Sequence, residues 1–268
     1  MILQIFKQIS ADNTLTQKPK QSDFCMHTHD NYEIYCFLFG DAKYTVEGSV
    51  YPLKPGDLIL MRRSEAHHLR LQSAAPYRRI TVNFTPPAEA NGVFSSKMMI
   101  PFLDRPLGRY NRYPAAIFGD FQWQYYLERL CDAKEERSRA IYLAVLLEEL
   151  SDQFEKVRSC EEEQVADQSA AILGYINRHL TEPLSLERIS ERFYLSKSQL
   201  NRKFKQANGS TVWEYITAKR LLMAKELLGH GGHPMEIYQQ CGFHDYATFY
   251  RAYRRQFGIA PKNDRLIR

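Results

Sequence analysis

Cysteine is sparse in this chain, and long apolar runs are missing. The 268 residues include five cysteines, Cys25, Cys36, Cys131, Cys160 and Cys241, with no Cys-x-x-Cys among them. An odd, scattered set excludes a disulfide framework and a zinc ribbon, and predicts reduced, mostly buried thiols in a cytoplasmic protein. No apolar run reaches the roughly 18 residues of a membrane span, so no membrane partner is expected. Met1 to Lys7 lacks a basic start and a small-residue cleavage site, so no signal peptide is expected. No nucleophile–base pair and no phosphate loop can be found, so the chain reads as a non-enzyme without a cofactor.

What is present is the composition of a foldable globular chain, with 44% hydrophobic and 25% charged residues. The length suits two domains. The net charge of +5 is unevenly placed. From Val165 onward there are 16 Lys and Arg against 9 Asp and Glu, whereas residues 1–164 hold 20 against 22. The C-terminal part is therefore the cationic one, as attraction to phosphate requires.

That cationic part repeats itself. Leu195-Ser196-Lys197-Ser198-Gln199-Leu200-Asn201-Arg202-Lys203-Phe204 leads to Gly209. Phe243-His244-Asp245-Tyr246-Ala247-Thr248-Phe249-Tyr250-Arg251-Ala252-Tyr253 leads to Gly258. Leu200 aligns with Phe249, Arg202 with Arg251 and Phe204 with Tyr253 at one constant offset, so a helix-turn-helix unit is present twice. On a helical wheel Leu200 and Phe204 turn inward, while Ser198, Arg202 and Lys205 turn outward with Asn201 at the flank. In the second copy Phe249 and Tyr253 are inward, Ala247, Arg251 and Arg254 outward, and Thr248 lies to one side; Tyr246 opens the helix. Arginine can bond two acceptors of guanine and asparagine two positions of adenine, so Arg202, Arg251 and Asn201 suit base edges. Small Ser198 and Ala247 allow close approach, and Lys197 and Lys205 suit phosphates. The expected DNA contacts are thus Lys197, Ser198, Asn201, Arg202, Lys205, Tyr246, Ala247, Thr248, Arg251 and Arg254, on double-stranded DNA. The strong helical stretch from Trp213 to Leu228 would join the two units rigidly.

Residues 1 to about 118 read as β. Tyr32–Phe39, Lys43–Val46, Val50–Leu53, Leu58–Met61 and Arg79–Phe84 are short strand-like runs separated by Gly and Pro. A small barrel or sandwich is expected. From 119 to 157 the period becomes helical. Trp123, Tyr126, Leu127 and Leu130 form one stripe, Ile141, Val145, Leu146 and Leu150 another, and a break is expected near Asp132–Lys134. This helix pair is a candidate dimer seam. The acidic turn at 158–168 reads as the linker, and Ser185 opens the first helix-turn-helix with a cap. The fold class is therefore α+β and multidomain: an N-terminal β-barrel with a helix pair, then an all-α domain over 169–268.

The C-terminal residues resemble the DNA-binding domain of the AraC/XylS regulators. The matching positions are Ile189-Ser190, Leu195-Ser196, Leu200, Phe204, Arg220-Leu221, Ala224, Leu227-Leu228, Ile237, Cys241-Gly242-Phe243, Phe249, Phe257-Gly258 and Pro261. Tyr238 stands where that family usually has alanine, and Asp264 where it usually has tyrosine. The N-terminal spacing His27-x-His29-x3-Glu33-x6-Gly40, followed by Pro55-Gly56-Asp57 and His67-His68, resembles a cupin barrel. The resemblance implies a transcription regulator controlled by a small effector, a sugar or other molecule, often homodimeric, and contacting RNA polymerase where it activates. His27, His29, Glu33 and His67 are the candidate effector-binding residues. The same four suit a divalent metal, and they also read as plain barrel residues. Leu71 falls where metal-binding cupins place asparagine. The competing function is a metal-dependent cupin enzyme whose tail binds nucleic acid incidentally.

Overall fold

A computed structural model describes residues 6, 8–24, 26–87, 94–160 and 168–264. Cys25, most of the N-terminal Met1–Lys7 stretch and most of the expected linker lie outside the described residues. The chain divides into two units: residues 1–25 with 31–165, and residues 166–268 with the short segment 26–30.

Among the described residues the first unit has eight strands in two antiparallel sheets. β1 (Gln8–Thr16), β7 (Tyr77–Thr85), β2 (Tyr32–Phe39), β5 (Leu58–Met61) and β8 (Arg112–Tyr113) form one, in that order. β4 (Ser49–Pro52), β3 (Ala42–Val46) and β6 (His67–Leu71) form the other. Alternation along β2 sets up the layers. Tyr35 and Phe37 face inward and share a core with Tyr44, Val46, Tyr51 and Leu69 of the smaller sheet. Ile34 and Cys36 face the other way, into a core with Leu58, Leu60, Val82 and Phe84. A strand covered on both faces needs apolar residues throughout, which is why the β2 sequence is nearly continuous in hydrophobics.

Helices cover that second face. α1 (Ile100–Leu103) is a single turn, followed by α2 (Trp123–Asp132) and α3 (Glu136–Cys160). Trp123, Leu127 and Leu130 of α2 pack with Leu143, Leu147, Leu150 and Phe154 of α3 in the sheet's core. The stripe expected along α3 is displaced, since Ile141 is 43% exposed and Val145 only half-buried. α3 carries apolar residues on more than one face, and periodicity alone picks the wrong edge. α3 also runs through Cys160, into the stretch read as linker, because nothing in Lys156–Cys160 breaks a helix. Cys160 is exposed, whereas Cys36 and Cys241 are buried.

One buried ion pair fastens the segment after α1 to the strands. Glu65 is fully buried and takes both guanidinium nitrogens of Arg105, each at 2.7 Å. It also accepts from the Arg62 and Gly108 amides and, at 3.3 Å, from Asn111. Arg105 donates onward to the carbonyls of Pro101 and Leu60. Burial alone would raise the Glu65 carboxyl, but Arg105 and the backbone donors outweigh it and hold it below the ordinary value of 4.5.

The second unit is helical: α4 (Gln168–Arg178), α5 (Leu186–Arg192), α6 (Lys197–Asn208), α7 (Val212–Gly229), α8 (Pro234–Gln240), α9 (Tyr246–Phe257) and α10 (Pro261–Asp264). The sequence marks four of these starts. Ser185, Ser196, Thr211 and Asp245 are N-caps whose side chains accept an amide of the first turn. Gly209 and Gly258 end α6 and α9 in the left-handed conformation. Among the described residues no helix is long and apolar enough to cross a membrane.

Glu65→Gln leaves the Arg105 guanidinium buried without its charge partner. It should cost about 3–5 kcal/mol in urea denaturation, and unchanged stability would show that the pair does not hold the segment. In the native protein the same carboxylate stabilises the fold above its ordinary value and is lost as pH falls below it. The denaturation midpoint should therefore drop on acidification more steeply in the native chain than in the Gln variant.

Candidate nucleic-acid interface and barrel site

The two helix-turn-helix units superpose as a local pattern with one difference. The recognition helices α6 and α9 start 49 positions apart, at Lys197 and Tyr246. The scaffold helices α5 and α8 close 48 positions apart: the Leu195 amide bonds the Ser190 carbonyl, and the Phe243 amide bonds the Tyr238 carbonyl. The second turn thus contains one extra residue, His244. The constant offset read along the recognition helices does not extend across the turn.

Each turn passes through the left-handed region once. Gly242 does so with φ +82° and Tyr194 with φ +53°. The reason for glycine in the second turn is contact. A Cβ there would sit 2.9 Å from the Arg220 guanidinium carbon and 2.9 Å from the Leu180 carbonyl oxygen. Arg220, on α7, is buried and donates to the carbonyls of Leu180 and Glu182, both at 2.8 Å. A single side chain on the joining helix therefore grips the entry to the first unit and abuts the turn of the second. Tyr194 has no such neighbour and is 92% exposed.

The outward faces are where the wheel places them. Ser198, Arg202 and Lys205 on α6 are exposed, as are Ala247, Thr248, Arg251 and Arg254 on α9. Leu200, Phe204, Phe249 and Tyr253 are buried. Three expected contacts are already engaged. Lys197 pairs with Glu187. The Asn201 carboxamide oxygen accepts the Val212 amide at 3.3 Å, tying α6 to the start of α7. Tyr246 is half-buried, edge-on to Tyr238 at 5.8 Å. Tyr238, the departure from alanine, thus finds its packing partner at the edge of the unit. Asp264, the other departure, accepts the Tyr253 hydroxyl at 2.5 Å.

In the first unit Glu33 and His67 meet inside the sheets. Both are buried, with the His67 Nε2 3.9 Å from the Glu33 carboxylate. The His67 Nδ1 lies 2.7 Å from the Glu65 carbonyl, which can only accept, so Nδ1 carries a proton. Nε2 is then the ring nitrogen directed at Glu33. Tyr44 stacks parallel to His67 at 6.1 Å and lies 4.5 Å from Tyr35, and the Tyr35 and Tyr77 hydroxyls bond each other. Burial pushes the Tyr44 and Tyr35 hydroxyls well up, so they stay protonated and able to donate. His29 is half-buried and His27 exposed, with rings 6.1 Å apart. Glu33 and His67 thus belong to the first unit, whereas His27 and His29 belong to the segment 26–30 that divides with the second.

Sequence reasoning passed over Tyr77, Arg220 and Trp213. Tyr77 sits before the run that reads as a strand. Arg220 matches the family pattern, but its carbonyl partners at 180 and 182 are visible only in the fold. Trp213 reads as one more residue of the joining helix.

Gly242→Ala should destabilise the chain by about 2–4 kcal/mol, from backbone strain and overpacking against Arg220. Tyr194→Gly should change stability by less than about 1 kcal/mol, since relief of strain is offset by chain entropy. Urea denaturation of both variants checks this; equal effects would remove Arg220 as the reason for glycine.

Residues 14–93 match an AraC-like ligand binding domain, and residues 189–266 match a helix-turn-helix domain. The HTH-type transcriptional activator RhaS of Salmonella schwarzengrund is 35% identical over 95 residues, 35% of this chain and 34% of that one. RhaS of Escherichia fergusonii is 26% identical over 261 residues, covering 91% of this chain and 88% of the relative. The alignment thus spans about a third of the length of the first relative and most of the second. The solved DNA-binding domain of AdpA, a global transcriptional factor in complex with a target DNA, is 28% identical over 37% of this chain and 91% of that one, with a TM-score of 0.36. The chain thus carries a region similar to an AraC-like ligand binding domain ahead of a region similar to a helix-turn-helix domain.

Proposed function

We propose that this protein is a sequence-specific DNA-binding transcription regulator whose N-terminal barrel takes a small effector. One observation carries the DNA reading: two recognition helices in one unit expose arginine at equivalent places, Arg202 and Arg251, over equivalent buried pairs. Ser198 and Ala247 flank these arginines, and Lys205 and Arg254 lie one turn on, towards phosphates. Thr248 supports Arg251, whose Nη2 lies 3.5 Å from the threonine hydroxyl. Lys197, Asn201 and Tyr246 act by positioning, given the partners they already hold. A DNA partner places the work in the cytoplasm. Homodimerisation through the helix pair belongs to the same reading, supported by exposed Tyr125 and Ile141. So does contact with RNA polymerase, if the protein activates.

The effector reading rests on Glu33 and His67. A carboxylate accepts hydrogen bonds from hydroxyls, an imidazole nitrogen can accept or donate one, and Tyr35 and Tyr44 offer donors and flat faces. Those groups suit a small polyhydroxylated molecule such as a sugar. A ligand with different affinity for two states of the protein would shift DNA binding between them. Glu33 and His67, two of the four candidate ligands, also favour a second reading, a divalent metal. The Nδ1–H bond of His67 orients its ring as metal-ligating histidines are oriented, so the donor set fits. A bound cation would supply a fixed positive charge there for an effector's oxygen atoms.

Selection of duplexes from a random pool by the full chain should enrich two short blocks about one helical turn apart. Arg202→Ala and Arg251→Ala should each cost about 1–3 kcal/mol and relax preference within one block only. Uniform weakening across all sequences would remove the base-reading roles. Glu33→Gln should abolish the response to an effector found by screening on that operator, while effector-free operator binding stays within about twofold, a difference below 0.5 kcal/mol. A response that survives puts the effector elsewhere. Elemental analysis of purified protein distinguishes the metal reading, which needs about one ion per chain, lost in His67→Ala.

A further inference from the structure

The second unit contains a notch of about 460 Å³ that the DNA reading touches only at Thr248. Its walls come from the loop between α4 and α5, the first half of α7, the end of α8 with the second turn, and one side of α9. That volume lies within the range of small-molecule sites. Apolar surface from Leu184, Phe243 and Ala252 forms much of the lining, and the half-exposed indole of Trp213 stands at the edge. Arg220 and Arg255 also line it.

Arg220 is the informative residue. It is 4% exposed, yet no carboxylate pairs with it among the described residues. Its Nε and Nη2 are spent on two carbonyls, and its Nη1 makes no hydrogen bond among the described residues. Its guanidinium also lies 5.9 Å from the Trp213 ring. Burial lowers its pKa from the ordinary value, which marks a cation poorly served by its surroundings. Asp245 at the rim is the opposing charge, and its carboxylate already accepts the Thr248 amide at 2.7 Å. Two guanidiniums against one engaged carboxylate leave the notch cationic.

We propose that this notch binds a small planar apolar anion, an aromatic carboxylate, stacked on Trp213 with its charge toward Arg220 and Arg255. The apolar walls and indole take the ring system, and the guanidiniums take the carboxylate. Thr248, Ala252 and Arg255 of the wall stand on α9; Arg251 adjoins them, its Nη2 3.5 Å from the Thr248 hydroxyl, and exposed Arg254 lies further round the helix. An occupant therefore touches the second reading helix directly. This consequence rests on the DNA reading, but occupancy itself does not.

The test is calorimetric titration of the full chain with 2-naphthoate, without DNA, against the neutral 2-naphthamide. One saturable site per chain is expected, with the amide weaker by about tenfold or more, the loss of a charged hydrogen bond. Arg255→Gln, at an exposed position that folding tolerates, should weaken naphthoate by about tenfold and leave the amide unchanged. Ala252→Phe, which fills the notch, should abolish both, with thermal unfolding confirming that the variant is folded. Absence of saturation, equal affinity for acid and amide, or full binding by the folded Ala252→Phe chain would each overturn the proposal. One alternative has its own signature: naphthoate fails to bind, while Arg255→Gln reduces the salt dependence of DNA binding by about one phosphate. The notch would then seat the DNA backbone. Failure of duplex selection alone would count against the DNA reading and leave the naphthoate result standing.

Discussion

Two reading helices are useful only if their separation is fixed, because the duplex presents its major groove at a fixed repeat. In this chain the constraint falls on α7 and on Arg220 within it. Eighteen residues of continuous helix span about 27 Å, and a straight helix of that length bends little. The joint still fails if either unit rocks on it. Arg220 prevents this on the first side by holding the Leu180 and Glu182 carbonyls, and on the second by filling the space against Gly242. Tyr215 adds to the first side, with its hydroxyl on Asn177 at 2.7 Å and its ring edge-on to Phe204. On the second side Leu221, Ala224 and Leu228 pack with Ile237, Phe249 and Tyr253. The helix thus serves both as joint and as the first helix of the second unit.

Among the glutamates buried in the first unit, Glu65 and Glu33 serve different ends. Glu65 is enclosed by Arg105, two amides and Asn111, in an arrangement that stabilises one geometry. Glu33 faces His67 at 3.9 Å, too far for a hydrogen bond. His67 also joins the two, since its Nδ1 is held by the carbonyl of Glu65. The rigid network therefore sets the ring angle at the site, and a change at Glu65 would reach Glu33 through His67.

Much of this was legible in the sequence, for identifiable reasons. Helix caps are local chemistry, so Ser185, Ser196 and Asp245 announce their helices. Leu200, Phe204, Phe249 and Tyr253 are buried because period and spacing allow one inward face. What stayed hidden depends on tertiary partners. β1 is polar along much of its length and forms a strand because β7 offers it a full ladder from Gln8↔Thr85 to Thr16↔Tyr77. The inward edge of α3 is decided by the sheet beneath it. Asn201 has the right chemistry for adenine, and only the fold shows its oxygen accepting the Val212 amide. Trp213, Thr217 and Arg220 are spaced as one helix face, yet the notch they border exists only because the second turn passes over them.

The extra residue in the second turn bears on what the operator can look like. With α5 and α8 in the same local frame, His244 lengthens only the second connection. The two recognition helices are then presented from their scaffolds by unequal tethers. Their faces are related without being identical: Ser198 against Ala247, Lys205 against Arg254, and Lys203 against Ala252 at the edge. A hydroxyl replaced by a methyl group changes which base edge is favoured, since one bonds acceptors and the other suits the thymine methyl. Two blocks read by one chain should therefore differ in sequence and run in the same direction. An inverted repeat in the operator would have to come from a second copy of the chain, since a two-fold axis relates copies and does not relate the two units within one.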